Sequence, residues 1–166
     1  MAQTLPSQSA DLALGQTLAQ QADRPAGDER PMPVGIARYV RGRELGRGGM
    51  GRVLEALDQQ FNRPVAIKQI IVDQPAASVV HRFATEAIVT GHLEHPGIPP
   101  VYERGVDETG RPFYAMRRVP GRSLSKLLAE ATTREQRLAL LPIVVRVAQT
   151  VGFAHASGVI HRDLKP

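Results

Sequence analysis

Hydrophobic and polar residues follow two different patterns along the chain. From Tyr39 to about residue 119, short apolar runs are separated by Gly and Pro, which is typical of a strand-rich unit. This pattern predicts strands near residues 39–46, 51–58, 64–72, 101–107 and 112–119. Within the same region, residues 77–92 are predicted to form a helix, whose apolar stripe consists of Val79, Val80, Phe83, Ala87 and Ile88.

The pattern becomes helical after residue 130. Thr132 and Glu135 have the spacing of a capping box, and Pro142 suits the first turn of a new helix. Apolar residues then recur at helical spacing up to Gly158, which is placed to end that helix: Val144, Val147, Ala148, Val151 and Ala154. A sheet with one helix, followed by helices, predicts an α+β architecture of two lobes.

Residues 1–37 differ from the rest in composition. They are rich in Gln, Ala, Ser, Asp and Pro, and they end in the Pro-broken stretch 31–33. This composition predicts a disordered N-terminal tail. Residues 1–21 have neither a basic leader nor an apolar stretch, so they do not resemble a secretory signal.

Composition narrows the function classes. The chain has 166 residues, a net charge of +5 and no cysteine, which excludes disulfides and Cys-based zinc sites and agrees with a reducing cytoplasm. Its Arg residues are scattered, and four Phe and three Tyr offer few rings to stack on bases, so nucleic-acid binding is not favoured. No apolar run approaches the length that crosses a bilayer, so no membrane segment is predicted.

Residues 45–53 contain the pattern G-x-G-x-x-G-x-V. Glycines allow the backbone to turn tightly and to approach phosphates, because no Cβ atom intervenes. A dinucleotide-binding loop shares G-x-G-x-x-G but continues into a helix. Here Val53 begins an apolar run that indicates a strand. A glycine-rich hairpin without a ligand remains the alternative.

Two further segments carry candidate chemistry. Lys68 ends the apolar run that begins at Val65, 17 residues after Gly51, and Glu86 on the predicted helix is its candidate partner. Asp163 could accept the proton of an attacking hydroxyl, and Lys165 could neutralise charge on a phosphoryl group. Lys68 and Glu86 could equally be ordinary solvated charges, and for Asp163 and Lys165 taken alone a solvated tail after a helix is the favoured interpretation.

Three histidines offer a separate hypothesis, a metal site formed by His81, His92 and His95. The spacing of His92 and His95 would place both on one helix face. His95 precedes Pro96, which places it at the end of the helix, so we expect no metal site.

Taken together, the glycine-rich segment, V-A-I-K at residues 65–68, the helix Glu and H-R-D-L-K-P at residues 161–166 resemble the protein kinase signature set. The resemblance covers residues 38–166 and is greatest to bacterial serine/threonine kinases of the eukaryotic, or Hanks, type. It implies a protein-kinase-like α+β fold, with a five-stranded N-lobe and one helix over about 38–119. The first helices of a truncated helical C-lobe would follow over about 120–166.

The resemblance also implies roles for individual residues. Asp163 would be the catalytic base and Lys165 the γ-phosphate contact, while Met116 would be the gatekeeper and residues 117–119 the hinge. Arg117 departs from the family, which often has an acidic residue there. The residues implied to surround ATP are Leu45, Gly46, Arg47, Gly48, Gly49, Met50, Gly51, Arg52, Val53, Ala66, Lys68, Glu86, Met116 and Val119.

The largest departure concerns magnesium. The family holds Mg²⁺ with an Asn after H-R-D-L-K-P and with the Asp of D-F-G, and this sequence has neither, so it has no predicted metal ligand. We therefore expect a fragment of a longer gene product, with no phosphotransfer by the 166 residues alone. A non-catalytic ATP-binding or partner-binding remnant of a kinase is the alternative.

The implied partners are ATP, protein substrates and a second kinase domain in a dimer, without nucleic acid. The implied location is the cytoplasm, and a missing C-terminal segment could anchor the parent protein to a membrane.

Overall fold

A computed structural model of the protein describes residues 34–49 and 51–166. The predicted tail lies outside these ranges up to residue 33, and so does Met50 of the glycine-rich segment. The described part begins with a 3₁₀ turn, Gly35–Arg38, in which Ile36 is buried against the sheet that follows.

Five antiparallel strands form one sheet in the order β1-β2-β3-β5-β4. All five strands expected from the sequence are present, and β3 ends before residue 72. The N–H of Ile70 still bonds to the carbonyl oxygen of Pro112, but the chain then leaves the sheet and turns at Gln74, whose φ is 51°. The strands are β1 Tyr39–Gly48, β2 Gly51–Asp58, β3 Arg63–Gln69, β4 Val101–Val106 and β5 Pro112–Arg117.

Helix α1, Ala77–His92, covers one face of this sheet. Phe83 and Ala87 are buried against Ile70 and Tyr114. The predicted stripe is wrong at Ile88, which is 41% exposed. Each residue of an α-helix is rotated by about 100° from the one before it. Ile88 therefore points well away from the line that joins Phe83 and Ala87.

The two faces of the sheet carry different side chains. Alternation along β3 and β5 places Val65, Ile67, Phe113 and Ala115 in a core on the face away from α1, under Ile36 and Tyr39. Tyr114 and Met116 consequently face α1. The strand register therefore brings the polar side chains on this face of the sheet close to α1.

Three helices follow the sheet: α2 Leu124–Glu130, α3 Arg134–Leu138 and α4 Leu141–Ala156. Helix α3 does begin with a capping box, but the prediction placed it one residue too early. Thr133 accepts a hydrogen bond from the N–H of Gln136 at 3.2 Å, and Gln136 Oε1 accepts one from the N–H of Thr133 at 3.2 Å. The amide of Gln136 serves at this position as well as a carboxylate would.

The predicted limits of α4 are confirmed. Pro142 lies in its first turn, where a missing N–H leaves no hydrogen bond broken. Gly158 follows the C-cap residue with φ of 77°, the left-handed conformation that glycine adopts without strain. The ring centres of Phe153 in α4 and His95 in the loop before β4 lie 4.9 Å apart, so α4 contacts that loop.

Much of the apolar surface of α4 is exposed, as expected from the sequence. Val144 and Val147 are 47% and 44% exposed. The stretch Arg134–Ala156, which comprises α3 and α4, contains an 18-residue window with a mean hydropathy of 1.5, so it is long and apolar enough to cross a membrane by length and composition alone. The sequence had predicted no such segment, because the charged residues of α3 and Arg146 interrupt the apolar run.

Candidate active site

The glycine-rich segment forms the hairpin between β1 and β2, with Gly48 opposite Gly51. A Cβ atom added at Gly46, Gly48 or Gly49 would meet no atom within 4 Å, whereas one added at Gly51 would lie 2.2 Å from the carbonyl oxygen of Gln69. Three of the glycines therefore border open space, and Gly51 packs directly on β3. This is the arrangement that a backbone needs in order to approach a bulky anion.

Two charged residues beside these glycines bond to each other. Arg47 donates from Nε and Nη2 to the two carboxylate oxygens of Glu44, at 2.9 and 2.7 Å. These hydrogen bonds lower the pKa of Glu44 below its ordinary value. The Arg47 side chain is 56% exposed. It therefore stands at the hairpin as a cation open to solvent.

Lys68 and Glu86 meet between β3 and α1. Lys68 Nζ donates to Glu86 Oε1 at 2.5 Å, and the two side chains are 20% and 33% exposed. The register of the sheet places Lys68 opposite Val53, next to the hairpin. The structure thus forms the ion pair expected from the sequence, on the strand next to the one that carries the end of the glycine-rich hairpin.

Tyr114 is a third member of this cluster that the sequence reasoning missed. Its hydroxyl donates to Glu86 Oε1 at 2.8 Å, and its ring packs 5.2 Å from that of Phe83. Burial raises the pKa of Tyr114 far above its ordinary value, and the nearby Glu86 carboxylate raises it further. The available signal was alternation in β5, which places Tyr114 and Met116 on one face of the sheet.

An apolar wall continues from this cluster. Met116 of β5 is paired with the buried Ala66 of β3, and it packs against the core under α1. Beyond β5 the chain leaves the sheet, and Val119 is 64% exposed. Arg118 Nε lies 2.6 Å from Glu55 Oε1 of β2, which ties this segment to the sheet. Ala66 and Met116 are thus brought near Lys68 by the pairing of β3 with β5.

Asp163 and Lys165 contact each other and not the Lys68–Glu86 ion pair. Lys165 Nζ is 3.0 Å from Asp163 Oδ1, and their side chains are 74% and 70% exposed. The N–H of Asp163 donates to His161 Nδ1 at 3.3 Å. In the part of the chain that the structure describes, neither side chain bonds to Lys68, Glu86 or the glycine-rich hairpin.

The histidine hypothesis is contradicted. Among residues 34–49 and 51–166, no group of three or more His, Asp or Glu side chains could hold a metal ion. His92 Nδ1 instead lies 2.7 Å from the carbonyl oxygen of Ile88, and His95 Nδ1 accepts a hydrogen bond from the N–H of Gly97 at 3.0 Å. The Asn and the D-F-G Asp with which the family holds Mg²⁺ are absent from the sequence, so no catalytic step is assigned to that ion.

Comparison with known proteins agrees with this geometry. The protein kinase domain family matches residues 39–166. The chain is 39% identical over 142 residues to the serine/threonine-protein kinase PknD of Chlamydia muridarum, over 79% of this chain and 15% of that protein. It is 33% identical over 149 residues to PknD of Protochlamydia amoebophila, over 81% and 15%. It is 35% identical over 147 residues to a probable serine/threonine-protein kinase of Streptomyces coelicolor, over 83% and 21%.

The fold has a solved counterpart as well. The crystal structure of a point mutant of the Mycobacterium tuberculosis PknI kinase domain matches with a TM-score of 0.61 and 29% identity. The match covers 82% of this chain and 56% of that one. A five-stranded sheet with a helix-borne Glu paired to a strand Lys defines the N-lobe of a kinase. The chain belongs to the protein kinase family, as the N-terminal part of a kinase domain of the bacterial serine/threonine, Hanks type.

Proposed function

We propose that the chain binds ATP beneath the glycine-rich hairpin, and that the kinase domain to which it belongs transfers the γ-phosphate to Ser or Thr hydroxyls of proteins. The observation that carries this proposal is the contact of Lys68 Nζ with Glu86 Oε1 at 2.5 Å, next to glycines that border open space. The chain spans 15% of the length of the two PknD relatives. Activity, substrates and partners of the whole protein are therefore part of the proposal.

In this proposal Lys68 contacts the α- and β-phosphates. A lysine side chain is flexible, and Glu86 holds its ammonium group in one place, so little conformational entropy is lost when the nucleotide binds. The N–H groups of the hairpin approach the phosphates where a Cβ atom at Gly46, Gly48 or Gly49 would meet nothing within 4 Å.

The adenine ring is proposed to lie against the apolar wall. Ala66 and Met116 line its inner side, and Leu45 and Val53 cover it from the hairpin. The backbone of residues 117–119 would bond to the ring edge, so the side chain of Arg117 has little influence on adenine binding. Met50, Arg47 and Arg52 complete the proposed phosphate cover, and Val119 the outer edge.

For the chemical step, Asp163 is proposed to orient the substrate hydroxyl and accept its proton, and Lys165 to balance charge on the transferred group. The kinase family generally uses Mg²⁺ with ATP, and the ion supplies neutralisation of phosphate charge when bound. The cytoplasmic location and the kinase dimer implied by the resemblance remain predictions.

Nucleotide affinity tests the first half of the proposal. The dissociation constant of ATP would be measured by calorimetry for the 166-residue chain, for Lys68→Met and for a control, Lys126→Met, which removes an exposed lysine of α2. A charge-assisted hydrogen bond contributes about 1.5–3 kcal/mol, so we expect Lys68→Met to weaken binding roughly 10- to 100-fold. Equal affinities for Lys68→Met and the control would contradict the proposal.

Phosphotransfer tests the second half. The full gene product should transfer radiolabel from ATP to protein, and Asp163→Asn should abolish the transfer. The 166-residue chain alone should show none, and Mg²⁺-dependent autophosphorylation by it would refute that expectation. ATP binding by the full product without phosphotransfer would support the non-catalytic alternative instead.

A further inference from the structure

Two hydrogen-bond donors converge on a single carboxylate oxygen of α1. Glu86 Oε1 accepts from Lys68 Nζ at 2.5 Å and from the Tyr114 hydroxyl at 2.8 Å. Tyr114 is level with Lys68 in the sheet, because the two residues are paired between β3 and β5. The Glu86 carboxylate is therefore held from both strands, and its orientation does not depend on Lys68 alone.

Tyr114 contacts every part of this arrangement. Its ring packs 5.2 Å from Phe83, one turn before Glu86 on α1, and Lys68 Nζ lies 5.9 Å from the centre of the same ring. Tyr114 is only 2% exposed, so its hydroxyl has little access to water. A buried hydroxyl without a hydrogen-bond partner is unfavourable. Because the partner of Tyr114 is Glu86 of α1, a movement of α1 away from the sheet would lose this hydrogen bond.

From these contacts we propose that Tyr114 is a positioning residue of the nucleotide site. It fixes the Glu86 carboxylate, and with it α1, in the position in which Glu86 holds Lys68. The proposal deepens the proposed function and rests on it for the role of Lys68 toward ATP. The hydrogen-bonded arrangement itself can be tested without any nucleotide.

Tyr114→Phe removes the hydroxyl and leaves the ring and its packing on Phe83. Tyr39→Phe is the matched control, because Tyr39 is also buried and donates to a glutamate, Glu103 Oε2, at 2.7 Å, but packs in the core on the other face of the sheet. Both variants lose one buried Tyr–Glu hydrogen bond. Only one of them should disturb Lys68.

The first readout is the acetylation rate of Lys68 by an N-hydroxysulfosuccinimide ester, measured by mass spectrometry relative to that of the exposed Lys126. An amine released from its carboxylate partner is more accessible to the reagent, because Lys68 Nζ no longer lies against Glu86 Oε1. We expect Tyr114→Phe to raise the relative rate roughly threefold to tenfold, and Tyr39→Phe to leave it unchanged. Glu86→Ala should raise it as well, and adding Tyr114→Phe to Glu86→Ala should change nothing further.

An unchanged rate in Tyr114→Phe would overturn the proposal, and so would an increase that adds to that of Glu86→Ala, because general loosening of the core would act independently of Glu86. If Tyr114→Phe does not fold, 3-fluorotyrosine keeps the test open. The chain has three tyrosines, whose fluorine signals can be assigned with Tyr39→Phe and Tyr102→Phe. Glu86→Ala must then shift the Tyr114 signal and leave that of Tyr39 in place, and an unmoved Tyr114 signal would overturn the proposal.

ATP affinity separates this proposal from the proposed function. Tyr114→Phe should weaken ATP binding by a similar factor in the wild-type background and have no effect in Glu86→Ala. Absence of ATP binding by the wild-type chain would refute the proposed function, while the acetylation rates would still decide the role of Tyr114.

Discussion

Gly51 and Gln69 approach so closely that a Cβ atom on Gly51 would lie 2.2 Å from the carbonyl oxygen of Gln69. Real Cβ atoms do not come this near to a backbone oxygen, and neither β2 nor β3 can move without breaking their hydrogen bonds. The last glycine of the hairpin thus has a packing role, while the three glycines that border open space are available to a ligand.

Gly51→Ala should therefore destabilise the chain without any nucleotide present. Forcing an atom into a packed site typically costs about 1–3 kcal/mol in the free energy of unfolding. Urea denaturation followed by circular dichroism would measure the change. Gly46→Ala, which meets no atom within 4 Å, is the control and should alter stability much less. Similar midpoints for the two variants would contradict the packing role.

Gly48→Ala should have the opposite effects: stability should hardly change, and ATP affinity should fall. No atom lies within 4 Å of a Cβ at this position, so the free energy of unfolding should change by less than about 1 kcal/mol. The added methyl group would stand where the proposed phosphates approach the backbone. We expect ATP affinity to fall severalfold in calorimetry while the urea midpoint stays close to that of the wild type. Unchanged affinity would place the phosphates away from Gly48.

The strands and α1 were predictable because their side-chain periods differ. Apolar residues recur with a period of about 2 residues in the strands and about 3.6 residues in the helix, and both periods are visible in the sequence. Helix α1 spans residues 77–92 as predicted. The Lys68–Glu86 pair was also accessible, because each residue lies in a segment with a recognisable motif. Patterns within single segments, together with the motifs, were therefore sufficient to predict both the sheet and the central ion pair of the candidate site.

Contacts between distant segments were not predictable. Tyr114 reaches Glu86 because β5 pairs with β3 in one register, and a shift of one residue would turn its side chain to the other face. The start of α3 was misplaced for a local reason, since Thr132 and Thr133 are equally suitable caps. The ion pair between Arg38 and Asp58 joins residues 20 positions apart and has no sequence motif.

Asp58→Asn should lower stability at neutral pH. Asp58 is fully buried and accepts from Arg38 Nε and Nη2 at 2.6 Å each, and from Arg63 Nε at 3.2 Å. Loss of the charge leaves two guanidinium groups without their carboxylate, and we expect a loss of about 2–3 kcal/mol. Glu108→Gln is the control, because Glu108 pairs with Arg41 at the surface and should contribute under about 1 kcal/mol.

Asp58→Asn should also change how the stability of the chain depends on pH below about 4. The hydrogen bonds from Arg38 lower the pKa of Asp58, although burial opposes them. A carboxyl group with a lowered native pKa stabilises the fold above its unfolded pKa of about 4, and this contribution is lost as the pH falls through the native value. Wild-type stability should therefore drop more steeply below pH 4 than that of Asp58→Asn. Parallel curves from urea titrations would contradict the assignment.

The exposed face of α4 should control self-association of the 166-residue chain. Leu141 and Val145 are 52% and 54% exposed and lie one turn apart. Leu141→Glu with Val145→Lys removes two exposed apolar side chains and adds an i,i+4 ion pair with Glu near the helix N-terminus. We expect sedimentation to show less association, with an unchanged melting temperature. Ile160→Glu, at an equally exposed residue beyond the helix, should have a smaller effect. A large drop in melting temperature would mean that the chain itself covers this face, contrary to the exposure observed.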